Sequence, residues 1–126
     1  VVEEVATHNL LDRTVFVAFD KPALTPLTTS DRTISVGSVG SVPNPVTMRE
    51  AKSVNADVVL SHYEPTSIPW FIKTAHKNGM KAGIWSLMDT QTNIRDAINH
   101  GPDLLTTNRP DIALRYRERL QDDREK

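Results

Sequence analysis

Several groups able to bind or react fall where an apolar run gives way to polar residues, and that placement limits what they can do. Phe19-Asp20 closes the run that starts at Thr14, His62 closes the run that starts at Asp57, Trp85 lies near the end of Lys81–Leu87, and Asn108-Arg109-Pro110 follows Asp103–Thr107. Ligands of parallel α/β proteins bind at the carboxyl ends of the strands, so these are the candidate positions. His62 suits a hydrogen bond to a phosphate or hydroxyl; the competing reading is a ring satisfied by a loop carbonyl. Phe19 and Trp85 suit apolar pocket walls, against the competing reading of ordinary core. Asp20 reads as a helix cap before it reads as a catalytic acid. Arg109 could hold an anion at the amino end of the next helix, or the segment is a turn with Pro110 at the helix entrance. Gly37-Ser38-Val39-Gly40 could offer amides to a phosphate, but without a longer fingerprint a plain loop is the favoured reading. His8, His76 and His100 lie on or beside helical runs and read as structural or solvent-facing.

No H-x-x-x-H, no carboxylate pair on one strand and no G-x-S-x-G occurs, so these residues assemble neither a metal site nor a complete acid–base pair. Cysteine is absent, which removes disulfides, thiolate ligands and cysteine nucleophiles together. The 126 residues, 38% hydrophobic and 25% charged, make one domain with a modest core. A formal net charge of -1 gives no reason to expect nucleic acid or an anionic membrane as partner. No apolar run approaches the roughly 18 residues of a membrane span, and the start lacks the basic-then-apolar pattern of a signal peptide. Val1, Val2, Val5 and Ala6 already follow helical spacing, so the sequence predicts a chain that begins inside an element, as a processed product would.

Positioning these groups requires strands that alternate with helices. A helix is expected from Val1 to Leu11, then a strand at Thr14–Phe19, too uniformly apolar to have one wet face. Asp20 to Asp31 reads as a weak helix with Pro22 in its first turn, interrupted by Pro26. Thr33–Gly37 is a second strand and Gly37 to Pro45 a loop. Thr47-Met48-Arg49-Glu50 reads as a capping box opening a helix to about Asn55. Asp57–His62 is the third strand. Ile68, Phe71, Ile72 and Ala75 mark one face of a helix that stops at Gly79. Lys81–Leu87 is the fourth strand; Asp89 caps a helix carrying Ile94, Ala97 and Ile98 that closes at Gly101. Asp103–Thr107 is the fifth strand, and Asp111 caps a last helix with Ile112, Tyr116 and Leu120 inward, ahead of a frayed charged tail, Gln121–Lys126.

Strict β/α alternation means a parallel sheet with right-handed crossovers. Two architectures fit: a free-standing five-stranded doubly wound domain, or five eighths of an eight-fold barrel of roughly 250 residues. A doubly wound phosphoacceptor domain is disfavoured. It would want an acidic pair after strand one and an aspartate at the tip of strand three, where this sequence has Asp20 alone and Ser61-His62.

Several of these segments also carry a family pattern. Ala75-His76-Lys77-Asn78-Gly79-Met80-Lys81, then Ile84-Trp85-Ser86-Leu87-Met88-Asp89, then Gly101 through Asp111 keep the order and spacing of the last two strands of the glycerophosphodiester phosphodiesterase family, which the chain resembles from about Val1 to Ile112. Leu11-Asp12-Arg13-Thr14 into Ala18-Phe19-Asp20, and Leu60-Ser61-His62-Tyr63, match earlier strands of the same pattern. Ala18 stands for the family's serine, Asn108 for its aspartate, Met88 for its asparagine and Pro102 for a common valine.

The resemblance implies a partial TIM barrel, with residues 1–120 supplying strands four to eight and 121–126 a charged tail. It implies hydrolysis of a glycerophosphodiester to glycerol 3-phosphate and an alcohol, with a divalent metal, Ca²⁺ or Mg²⁺, neutralising phosphate charge while histidines act as base and acid. The family places that machinery on its first three strands, in His-Arg-Gly, Glu-x-Asp, His-Asp and Glu-x-Lys motifs. No strand of this chain carries them, so no catalytic or metal residue is assigned here. Phe19, His62 and Trp85 remain as substrate-binding candidates. The expected partners are a small glycerophosphodiester and the N-terminal half of the barrel. The alternative is a non-catalytic partial barrel that binds a partner or its own copy through open edges.

Overall fold

The computed structural model describes residues 2–28, 34–85 and 90–125. Its elements are α1 (Val2–Thr7), a 3-10 turn (Leu11–Arg13), β1 (Val15–Ala18), α2 (Lys21–Thr28), β2 (Ser35–Val39), α3 (Pro45–Ser53), β3 (Val58–His62), α4 (Ile68–Lys77), β4 (Lys81–Trp85), α5 (Gln91–Asn99), β5 (Leu104–Leu105) and α6 (Pro110–Glu125). All four strand pairings are parallel and the spatial order is β1-β2-β3-β4-β5. A doubly wound sheet must reverse its strand order to send helices to both faces. Here the order never reverses, helices α2 to α5 share one face, and the sheet curls into a half-barrel.

The main core lies between sheet and helices. Val36, Val59, Ala82 and Ile84 point from the strands toward Leu24 of α2, Met48 and Ala51 of α3, the apolar face of α4, and Ala97 of α5. The predicted helix face of Ile68, Phe71, Ile72 and Ala75 is buried in full, with Phe71 at its centre. Ile112 is buried on α6, with Tyr116 and Leu120 partly covered along the same side.

Side chains of the alternate parity face the concave side. There Val39, Val58 and Leu60 form a small cluster with Trp85. Leu60 leans over glycines on both neighbouring strands: a Cβ on Gly83 would come 2.9 Å from Leu60 Cδ2, and one on Gly37 would come 2.7 Å from Val17 Cγ1 and 3.1 Å from Leu60 Cδ1. The sheet is therefore tightest at its middle strands. At its rims the same face is open, and Val15, Val17 and Leu104 are exposed. β1 thus has the wet face that its uniformly apolar sequence argued against. Its inner side faces a barrel interior that none of the described residues fills.

Helix-to-strand turns repeat one device. Asn55, Gly79 and Gly101 have φ of 53°, 77° and 78°, the left-handed conformation that ends a helix. Each stands two residues before Asp57, Lys81 and Asp103, where the chain turns into a strand. The two aspartates then brace the preceding strands. Asp57 accepts from the Val36 N–H through Oδ2 at 2.9 Å and donates its own N–H to Val36 O at 2.8 Å. Asp103 repeats this with Ala82, both bonds at 2.8 Å, and its carboxylate also meets His76 Nε2 at 2.7 Å. Partial burial works to raise the Asp103 pKa, but the bonds from Ala82 and His76 and the nearby positive charges outweigh it, leaving the carboxyl below its ordinary value. A depressed carboxyl pKa stabilises the fold above the unfolded value and loses that contribution as pH falls through the folded one. Asp103→Ala is therefore expected to lower stability by about 1–2 kcal/mol at pH 7. The gap between the variant and the parent chain in urea melts should narrow as pH drops below about 4; a gap that does not change with pH would refute the ionised-brace account.

Several local expectations give way. Pro26 does not interrupt α2, because it removes one late helical bond while Leu24 anchors the turn in the core. The capping box does not start at Thr47. Asn44 is the N-cap, accepting from Thr47 N at 3.0 Å with Pro45 preset in the first turn, so α3 begins earlier. The Thr47 hydroxyl instead donates to Val42 O at 2.6 Å. The first helix stops at Thr7, where Asn9 turns left-handed at φ 58°. The predicted loop from Gly37 begins later, since Gly37, Ser38 and Val39 are strand. β5 is only two residues long. α6 runs on through the charged segment to Glu125, in keeping with its helix-forming residues. Thr33, Met88 and the cap expected at Asp89 lie outside the described residues; α5 is capped by Thr90, which accepts from Asn93 N at 3.2 Å.

Candidate functional site

The carboxyl ends of β1 to β4 form the mouth of the concave face, and strand parity places three candidates there. Phe19 follows β1 on the parity of Val15 and Val17, His62 ends β3, and Trp85 ends β4 in register with His62. The indole is long enough to cross the sheet. From β4 it passes over β3, donates from Nε1 to Gly40 O at 3.1 Å just after β2, and packs edge-to-face with Phe19 at 5.6 Å between centroids. The His62 ring meets the same indole at 5.3 Å and 88°. One bridging side chain therefore joins four strands at the mouth. Trp85 thus packs against the concave cluster of Val39, Val58 and Leu60.

Gly40 makes this arrangement possible. Its N–H donates to Leu60 O at 2.8 Å while its carbonyl receives the indole. A Cβ there would lie 2.2 Å from Thr47 Cγ2, so α3 packs against bare backbone. The glycines of the Gly37–Gly40 segment thus serve close packing, and the phosphate-cradle reading of that segment is set aside. Sequence inspection missed Gly40 as a structural partner of Trp85; the residue lies 45 positions away, and only the sheet order brings the two together.

Lys21, also missed, opens α2 beside Phe19. Its Nζ donates to Val39 O at 2.8 Å and lies 3.9 Å from Glu50 Oε2. Burial pushes this ammonium below its ordinary pKa, against the opposing pull of Glu50 and Asp20. Asp20 is exposed at the entrance to α2, the position of a helix cap. Glu64 accepts from Thr66 and Ser67 ahead of α4, and the bonds from Ser67 and Thr66 hold its carboxyl below the usual range. Arg109 forms a two-pronged pair with Asp111, Nε to Oδ1 at 3.1 Å and Nη2 to Oδ2 at 3.0 Å. That pairing turns its guanidinium onto the first turn of α6 and takes up the charge that an anion at this helix end would need. His76 braces Asp103 at the amino-terminal end of β4 and β5, the opposite end of the sheet from the mouth.

The divalent metal implied by the family pattern finds no fit among the described residues. Among the described residues no three His, Asp or Glu side chains come close enough to hold an ion.

The chain superposes on a glycerophosphodiester phosphodiesterase from Parabacteroides distasonis with a TM-score of 0.76 at 22% identity, over 94% of this chain and 49% of that one. It superposes on a phosphodiesterase from Oleispira antarctica, solved with the product sn-glycerol-3-phosphate, with a TM-score of 0.66 at 13% identity, over 82% of this chain and 41% of that one. The fold is shared with the glycerophosphodiester phosphodiesterases. This is the family that the strand motifs resemble, and the chain spans about half the length of these solved relatives or less. No family profile matches the sequence, and no curated protein does.

Proposed function

We propose that this chain forms the C-terminal part of a phosphodiesterase barrel that hydrolyses glycerophosphodiesters to glycerol 3-phosphate and an alcohol. The observation that carries the proposal is the Phe19–Trp85–His62 cluster, set at the carboxyl ends of parallel strands where barrel enzymes bind substrate. Phe19 and Trp85 would wall the apolar side of the substrate, and His62 would hydrogen-bond a hydroxyl or phosphate oxygen. The metal, Ca²⁺ or Mg²⁺, and the groups that move protons would come from β/α units outside this chain, so no chemical step is assigned to its residues.

A second reading, a non-catalytic module that associates through its sheet, draws support from the open rim of Val15, Val17 and Leu104. One pair of measurements separates the two. Glycerophosphocholine hydrolysis is assayed with Ca²⁺ or Mg²⁺ for the chain alone and for the chain joined to the strands that complete its barrel. The phosphodiesterase reading expects no turnover from the first and metal-dependent turnover from the second; a completed barrel without activity would sink it. The module reading expects the chain alone to sediment as an oligomer at low concentration, and a stable, well-folded monomer would sink that.

A further inference from the structure

Beside the aromatic cluster, at the same mouth, a cavity of about 300 Å³ opens between the β1–α2 and β2–α3 connections. It shares Phe19 and Gly40 with the cluster, so a guest seated against the Phe19–Trp85 pair lies next to its opening. Its rim is apolar and uncovered: Phe19 is 57% exposed, Val46 50% and Val42 47%. Three such side chains around one small opening are unusual for a surface otherwise rich in charge.

Lys21, Glu50, Asn44 and Thr47 around this cavity are turned toward one another or toward backbone, and Ser41 is exposed. The Lys21 ammonium donates to the Val39 carbonyl and lies 3.9 Å from the Glu50 carboxylate, so the two charges lining the cavity offset each other, with the Asp20 carboxylate near enough to act on the same ammonium. Asn44 spends its side-chain oxygen on the Thr47 N–H, and the Thr47 hydroxyl is donated to Val42 O. A charged guest would gain little from a wall whose lining charges are already paired with each other. An apolar guest would cover Phe19, Val42 and Val46 and take their apolar surface out of water.

We infer that this cavity receives the alcohol side of the phosphodiester and favours an uncharged, apolar alcohol such as an alkyl chain over a cationic one such as choline. The inference rests on the phosphodiesterase reading for its substrate class, while the cavity lies wholly within this chain. Val42 and Val46 are then residues that set specificity, and Phe19 joins the cavity to the aromatic wall.

The test uses two probes, the octyl and the choline esters of sn-glycerol 3-phosphate. Their binding to the chain is measured by calorimetry, with the methyl resonances of Val42 and Val46 as the positional readout. The octyl ester is expected to bind about tenfold more tightly and to shift both valines. Val42→Asp with Val46→Asp should collapse that preference to near parity. Because Val46 lies in the first turn of α3, where an acidic residue suits the helix, the change is tolerable locally. Val46→Thr, of the same shape, should reduce the preference in part. Equal binding of the two esters, no saturable binding of the octyl ester, or a preference that survives the double substitution would each overturn the inference. Hydrolysis by the completed barrel separates this from the parent proposal. Turnover of both esters at equal kcat/KM would sink the cavity assignment and leave the reaction standing, whereas octyl preference in binding without hydrolysis of either ester would do the reverse.

Discussion

Trp85→Ala is expected to destabilise the chain by about 2–4 kcal/mol, a large effect for a side chain that is only partly buried. Three losses combine. The Gly40 carbonyl loses its indole donor, a contribution of about 1 kcal/mol. Two edge-to-face ring contacts, with Phe19 and His62, disappear at about 0.5–1.5 kcal/mol each. The packing over Val39 and Leu60 is also stripped. Trp85→Phe keeps a ring but not the N–H, so it should recover part of the stability while leaving Gly40 unpaired. Urea denaturation of the three proteins checks the order. In a completed, active barrel, Trp85→Ala should raise KM more than it lowers kcat, because the ring is assigned to binding and not to chemistry. A Trp85→Ala protein as stable as its parent would show that the indole bridge does not hold the mouth together.

Phe71→Ala is expected to cost more, about 3–5 kcal/mol, and to leave the chain largely unfolded at physiological temperature. Phe71 is fully buried at the centre of the main core, among residues of α4 and the helix-facing side of the strands. Alanine there leaves a cavity that the rigid strand pairings around it cannot collapse to fill. Phe71→Leu should recover more than half of the loss by refilling the volume. Thermal melts by circular dichroism provide the comparison. If Phe71→Ala melts within a few degrees of the parent, the core placed between sheet and helices is wrong.

The main elements were legible because their periodicities are unambiguous. The run Val58–Val59–Leu60 has room only for a buried strand, and Ile68, Phe71, Ile72 and Ala75 only for a helix face. Boundaries slipped where two local signals competed. Asn44-Pro45 outranked the Thr47-x-x-Glu50 pattern as a helix start because an asparagine cap and a preset proline act together three residues earlier. Pro26 read as a break because propensity ignores the anchoring of its neighbour Leu24. Gly37 read as the junction of strand and loop but lies inside β2, since sequence registers a missing side chain as freedom while here it permits close approach. Lys21 and Gly40 gave no warning of their part at the mouth, because their partners lie in other β/α units.

By itself, then, the sequence determined the β/α alternation, the parallel sheet and the resemblance to the phosphodiesterase strands, since hydrophobic period and turn residues act within a few positions of one another. Tertiary structure decided between the doubly wound and barrel architectures, because strand order and curvature are properties of the packed sheet. It also decided which candidates meet. Phe19, His62 and Trp85 stand on strands separated by more than twenty residues of chain, and only parallel register with a shared side-chain parity sets them on one face. The width of the indole then closes the distance to Gly40.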